Sequence, residues 1–141
     1  FLEIIQPKTI YLGMKDFQQL SLIKLHIIRK KINTKLVVCP TIRESNGLAI
    51  SSRNNKLEKK QIYKAGMIYS YLKKNKRKIL HKILNNKKKD IINKLTVLGA
   101  QNVDYIECLN VKNLEYSKNS KDNFNIFVAY YLNSVRLIDN L

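Results

Sequence analysis

The feature that most restricts the fold lies in the first forty residues. "TIYLG", residues 9 to 13, and "KLVVC", residues 35 to 39, are short apolar runs rich in β-branched and aromatic residues. Pro7 and Gly13 bound the first run and Pro40 stops the second, so both read as buried strands. Between them Phe17, Leu20, Ile23, Ile27 and Ile28 recur at helical spacing. Asp16 is placed to cap this helix, which is expected to run to about Asn33. Strand, helix, strand at this spacing is a βαβ unit with parallel pairing. Ligands of such sheets gather beyond the carboxyl ends of the strands. Gly13 to Asp16 follows one such end and Thr41 to Asn54 the other, so both segments are expected on one edge of the sheet.

The texture changes from about Lys56. Ile62, Ala65, Met67, Ile68 and Leu72 mark a helix from Leu57 to Lys74. A second helix, roughly Ile79 to Leu98, carries Leu80, Ile83, Leu84, Ile91, Ile92 and Leu95, with Gly99 placed to end it. "VDYIECLN" alternates like a strand, "FNIFVAYYL" is apolar on both faces and reads as a central strand, and "VRLID" reads as the last. "YSKNSKDN" is expected to be a loop between strands. The class is therefore α/β: an α/β remnant, a break near residues 42 to 56, and a small α+β domain with its own sheet. The opening residues read as the end of a helix entering a strand, so the expectation is a fragment.

No apolar run approaches the ~18 residues of a membrane span, and residues 1 to 12 lack a basic leader and a cleavage site. The net charge of +17 invites a nucleic-acid reading. That charge is nearly all lysine, however, and it accompanies an excess of Ile and Asn, which A+T-rich coding sequence favours. "KKNKRK" and "NNKKKD" carry no interleaved aromatics on which bases could stack. A solvated basic face is the reading preferred to specific nucleic-acid binding. Cys39 and Cys108 stand far apart without metal-ligand spacing and are expected to be small buried hydrophobes in a reducing compartment. His26 and His81 read as helix-surface residues, and no metal site is expected.

Two segments carry candidate chemistry. In "LGMKDFQQL" Gly13 lets backbone approach a ligand, and Lys15 offers a mobile charge for phosphate. Asp16 could cap the helix or accept from a ribose diol, and Gln19 lies one turn along the same face. Capping and exposure also account for these residues without a ligand. In "TIRESNGLAISSRN" Ser51 and Ser52 supply hydroxyls, Arg53 supplies a planar fork matched to phosphate oxygens, and Gly47 gives a flexible point for loop closure. A polar linker whose serines and asparagines cap the next helix is the equally weighted alternative. Neither GxxxxGK[ST] nor GxGxxG is present.

Taken together, "GMKDFQQL", "IRESNGLAISSRN" and "VRLIDN" resemble, in order and spacing, three segments of the pantothenate synthetase (pantoate–β-alanine ligase) family: GEKD-(F/Y)-QQL, (V/M)-R-x-x-D-G-L-A-(M/L)-SSRN and a tail ending in TRLIDN. "VDYIE" also matches the strand before that tail, and the resemblance covers essentially the whole chain. Three positions depart from the family pattern: Met14 replaces a glutamate, Asn46 an aspartate, and Asn133 stands where glycine is common.

The resemblance implies a fold and a reaction. Residues 1–42 would be the end of a Rossmann-like nucleotidyltransferase domain that binds ATP and pantoate, and residues 43–141 a small C-terminal α+β lid domain with an antiparallel sheet. Pantoate's carboxylate would attack the α-phosphate of Mg²⁺·ATP, giving pantoyl adenylate and pyrophosphate. β-Alanine would then displace AMP. Gly13, Met14, Lys15, Asp16, Ile42, Ile50, Ser51, Ser52 and Arg53 would contact ATP, with Lys15 and Arg53 as the catalytic cations, and Gln19 would hold pantoate. The family is cytoplasmic and homodimeric at full length. Its HxGH-type motif has no counterpart here, since no His-x-x-His pair exists. The fragment alone is therefore expected to be inactive. A related adenylyltransferase with another acid substrate, or a basic nucleic-acid-binding module, are the competing readings.

Overall fold

A computed structural model describes residues 1–111, 114–119 and 123–141. The chain divides into two compact units, Phe1–Ile42 and Arg43–Leu141. In the first, a helical turn α1 (Leu2–Ile5) precedes strand β1 (Thr9–Gly13), a 3₁₀ turn (Met14–Asp16), helix α2 (Phe17–Arg29) and strand β2 (Lys35–Cys39). β1 and β2 run parallel, in register from Thr9 beside Lys35 to Gly13 beside Cys39. Helix α2 is thus the crossover of the expected βαβ unit. The Thr34 hydroxyl donates to the Pro7 carbonyl at 2.8 Å, joining the approaches to the two strands.

Three expectations for this unit are corrected. Helix α2 stops at Arg29, short of Asn33, because Lys31 turns left-handed at φ 50°. Its N–H donates to Ile28 and that of Ile32 donates to Ile27, the paired bonds of a Schellman closure. Glycine usually takes that position, so a lysine there gave no signal in the sequence. Asp16 makes no side-chain capping bond; its backbone, at φ −93° and ψ 57°, lies outside the extended region from which an N-cap side chain reaches the first turn. The strands are only partly covered: Tyr11 is 69% and Val38 41% exposed, and Cys39 is half-buried. Two strands and one helix cannot cover both faces of a sheet. Ile28 likewise lies off the Leu20 face and is exposed, as are Leu22 and Leu25.

Among its described residues the second unit contains a second 3₁₀ turn (Ser52–Lys56), three helices and three strands. The helices are α3 (Lys59–Lys74), α4 (Lys76–Leu84) and α5 (Lys88–Val97); the strands are β3 (Asn102–Asn110), β4 (Phe124–Leu132) and β5 (Val135–Asn140). The sheet is antiparallel in the order β3-β4-β5, so the two-faced apolar strand is central, as its pattern required. Ala65, Ile68 and Leu72 of α3, Ile79 and Leu80 of α4, and Ile91 and Leu95 of α5 form one core with Ile106, Cys108, Ile126, Val128 and Leu132. Each fully buried Ile or Leu contributes roughly 1.5–3 kcal/mol. A reciprocal capping box between Glu58 and Gln61 starts α3.

The single helix expected from Ile79 to Leu98 is two. Asn86 turns left-handed at φ 57°, its N–H donating to Ile83 and that of Lys87 to Lys82, which closes α4 one residue past Asn85. Leu84, at this end, is 40% exposed rather than core. Gly99 does end α5, at φ 115°. In β3 the pairing register shifts between Val103 and Tyr105. That shift puts Val103 against the same core as Ile106 and Cys108, which strict alternation forbids. The Asp104 carboxylate there accepts from Arg136 Nε at 2.7 Å. Asn133, at φ 52°, takes the tight β4–β5 turn that glycine would also suit. Of the expected loop "YSKNSKDN", Tyr116 bridges to Leu109, and residues 120–122 lie outside the described residues. Both cysteines are free, and burial pushes the Cys108 thiol up to about 12.

Candidate functional site

In the first unit the candidate residues follow the end of β1. Gly13 has an ordinary extended backbone, φ −71° and ψ 134°, and a Cβ built there would meet nothing within 4 Å. Among the described residues neither conformation nor packing calls for glycine there, which leaves an open strand end. Met14, Lys15 and Asp16 form the 3₁₀ turn; Asp16 and Gln19 are exposed and Lys15 is half-buried. Because Gly13 and Cys39 are register partners, this turn and the Pro40–Ile42 segment leave the same edge of the parallel pair. Ile42 is 72% exposed.

In the second unit the candidate segment stands on a built base. Residues 43–49 fold into a tight turn: the Gly47 N–H donates to Glu44 O, the Glu44 N–H to Leu48 O, and Arg43 bridges Ala49 antiparallel. Asn46 works twice, accepting from the Leu48 N–H at 3.0 Å and donating Nδ2 to Ile62 O of α3 at 2.9 Å. Gly47 is not the flexible point expected of it. It is buried at φ 92°, and a Cβ there would lie 2.0 Å from Tyr69 Cδ1. Only glycine fits both that conformation and that approach.

Arg43 fixes this turn to the sheet. Nη1 donates to Asp139 Oδ2 at 2.6 Å and to Gly47 O at 3.1 Å; Nη2 donates to Asp139 Oδ1 at 2.9 Å and to Asn140 O at 3.2 Å. The guanidinium also lies 4.5 Å from the centre of the Tyr69 ring. Burial alone would lower the Arg43 pKa, but the hydrogen bonds and charge of Asp139 outweigh it and hold the group above its usual value. Sequence reasoning passed over Arg43, Asp139 and Tyr69. The first two stood in the quoted segments "IRES" and "VRLIDN"; Tyr69 gave no signal.

Leu48 and Ala49 are buried, and the chain then emerges: Ile50, Ser52 and Arg53 are exposed. The Ser51 hydroxyl caps the 3₁₀ turn by accepting from the Arg53 N–H at 3.3 Å, so the capping alternative holds for that serine. Asn54 Nδ2 donates back to Ala49 O at 3.1 Å, and Leu57 re-enters the core. The result is a short exposed arch, with one hydroxyl and one guanidinium presented to solvent between pinned ends.

Among the described residues no group of three or more His, Cys, Asp or Glu side chains could hold a metal ion, and no helix is long and apolar enough to cross a membrane. His26 and His81 are exposed, with His26 Nε2 3.7 Å from Glu3.

Comparison with known proteins addresses the whole chain. Residues 1–141 match the model of the family described as pantoate-beta-alanine ligase. Pantothenate synthetases of Azobacteroides pseudotrichonymphae and Flavobacterium psychrophilum are 37% and 36% identical over 141 residues, covering 99% of this chain and 50% of each relative. The crystal structure of the Francisella tularensis pantoate-beta-alanine ligase, complexed with beta-gamma ATP and beta-alanine, superposes with a TM-score of 0.71 at 38% identity, over 99% of this chain and 45% of that one. The Thermus thermophilus enzyme superposes at 0.82 with 27% identity, over 99% of this chain and 51% of that one. The chain spans about half the length of the curated relatives it matches. With its whole length matched and its α/β elements superposed, the chain belongs to the pantoate–β-alanine ligase family.

Proposed function

We propose that this chain supplies the closing half of an ATP site at which pantoate is adenylated and then condensed with β-alanine. The observation that carries the reading is the family match over residues 1–141. Pantoate's carboxylate oxygen bonds to the α-phosphorus as the bond to pyrophosphate breaks; β-alanine's amine then displaces AMP from the acyl carbon. Such transfers depend on positioning and charge neutralisation rather than on protein acid–base chemistry. The open end at Gly13 accepts the nucleotide backbone-first, alongside Met14, Asp16 and Ile42. Lys15 and Arg53 offset the charge growing on pyrophosphate, helped by Ile50, Ser51 and Ser52, and Gln19 orients pantoate's hydroxyls. Mg²⁺ arrives as part of the nucleotide substrate and is held chiefly by phosphate oxygens and water. A cytoplasmic location and a homodimer at full length belong to the same reading, with residues 1–42 as the substrate-binding end and 43–141 as the lid.

Titration with Mg²⁺·ATP, followed by amide hydrogen exchange, tests this. Protection is expected at residues 13–19 and 50–53. Its absence there, or salt-sensitive protection of the lysine-rich helices by nucleic acid instead, would overturn the reading. With no His-x-x-His pair, the isolated chain is expected to release no AMP. AMP release from it that depends on pantoate and β-alanine would contradict that half of the proposal.

A further inference from the structure

We infer that Arg43 is the positioning residue of the Ile50–Arg53 arch, acting through the turn at Gly47. This deepens the nucleotide reading and rests on it for the arch's purpose, though not for its geometry. All four Nη hydrogens have acceptors: both Asp139 oxygens, the Gly47 carbonyl and the Asn140 carbonyl. The same fork therefore binds the end of β5 and the turn from which the arch rises. Tyr69 lies against both partners, with its ring 4.5 Å from the guanidinium and its Cδ1 within 2.0 Å of where a Gly47 Cβ would stand. Asn46, bonded to Ile62 O, ties the same turn to α3. The arch is then closed at its far side by Asn54 on Ala49 O.

An exposed Arg53 is a useful phosphate ligand only if its base does not wander. A misplacement of about 1 Å costs around a hundredfold in a positioned reaction. Arg43 bonds the turn to the end of β5, and Asn46 bonds the same turn to α3, so the near side of that base is held from two elements. Lysine could neutralise Asp139, but a point charge with three donors cannot span four acceptors held in a planar fork.

Two variants separate positioning from folding. Arg43→Lys keeps the charge. Arg43→Met with Asp139→Leu removes the ion pair as a whole, a replacement that leaves many proteins at least as stable. Amide exchange in this chain should accelerate about tenfold at Glu44, Gly47 and residues 49–54 in both variants, a loss comparable to the removed charge-assisted bonds. Exchange in β4 should accelerate by no more than each variant's change in global stability, read from its urea midpoint, accounts for. Mg²⁺·ATP protection of residues 50–53 should need about tenfold more nucleotide. Unchanged exchange at residues 44–54 in both folded variants overturns the inference. If the wild-type chain shows no Mg²⁺·ATP protection, the nucleotide reading fails, and the exchange rates alone then decide the role of Arg43.

Discussion

The Arg43 guanidinium and the Asp139 carboxylate, 96 positions apart, meet in a two-pronged pair at 2.6 and 2.9 Å, with 19% and 11% of their side chains exposed. The pair closes the second unit on itself, joining its first residue to its last strand. Deleting one partner leaves the other charge with little water and, among the described residues, no counterion. Arg43→Ala should therefore destabilise the unit by about 3–5 kcal/mol. Asp139→Leu alone should cost a similar amount, and the two changes together much less than their sum. Urea unfolding midpoints of the three variants check this, and simple additivity would show that the residues do not act as a pair.

Gly47 and Tyr69 form the second coupled pair. Gly47→Ala introduces a Cβ at φ 92° and 2.0 Å from the Tyr69 ring. Left-handed strain and overpacking together should cost about 3 kcal/mol. Tyr69→Ala removes the clash but not the strain, so adding it to Gly47→Ala should recover roughly 1–2 kcal/mol of the interaction. Thermal unfolding of the four-member cycle reads the coupling directly. A neutral Gly47→Ala would mean that the turn has freedom this geometry does not allow.

The parts legible in the sequence were those written in repeating patterns or in punctuation. β4 declared itself central because "FNIFVAYYL" is apolar on both faces, and Gly99 announced the end of α5. Two other helix ends use the same backbone closure with Lys31 and Asn86, residues that the sequence offers elsewhere as ordinary surface. The Arg43–Asp139 bond was invisible for a different reason: it joins positions that no local period relates, and Arg43 reads as one more cation among 27 lysines and arginines. Gly47 was noticed, but its role was inverted. Only the Tyr69 ring, packed where a side chain would go, reveals a fixed point.

Arg53 of the arch and Gly13 at the end of β1 should be dispensable for folding. Arg53 is exposed and Gly13 faces open space. Arg53→Ala and Gly13→Ala should each change stability by less than about 0.5 kcal/mol. Arg53→Ala should nevertheless weaken Mg²⁺·ATP binding about tenfold or more, the worth of a charge-assisted hydrogen bond to phosphate. Isothermal titration beside a urea melt makes the comparison. Loss of stability without loss of binding would reverse the roles assigned here.

Cys108 gives the chain an alkaline limit. The thiol titrates near 9.0 when solvated, whereas burial, with the neighbouring Glu107 charge, holds it to about 12 in the fold. The folded pKa is the higher one, so the contribution to stability is complete below pH 9 and is lost as pH rises towards 12. One unit into that window, at pH 10, the loss is about 1.4 kcal/mol. Burial also raises the Tyr130 phenol, which acts in the same direction at still higher pH. Desolvation lowers Lys76, which acts in the opposite direction just below 10.5. The Cys108 share is isolated by Cys108→Ala, which leaves a small cavity at every pH but removes the ionisation. Between pH 8 and pH 10 the wild type should therefore lose about 1.4 kcal/mol more than the variant, read from urea midpoints. Equal losses in the two proteins would place the alkaline sensitivity elsewhere.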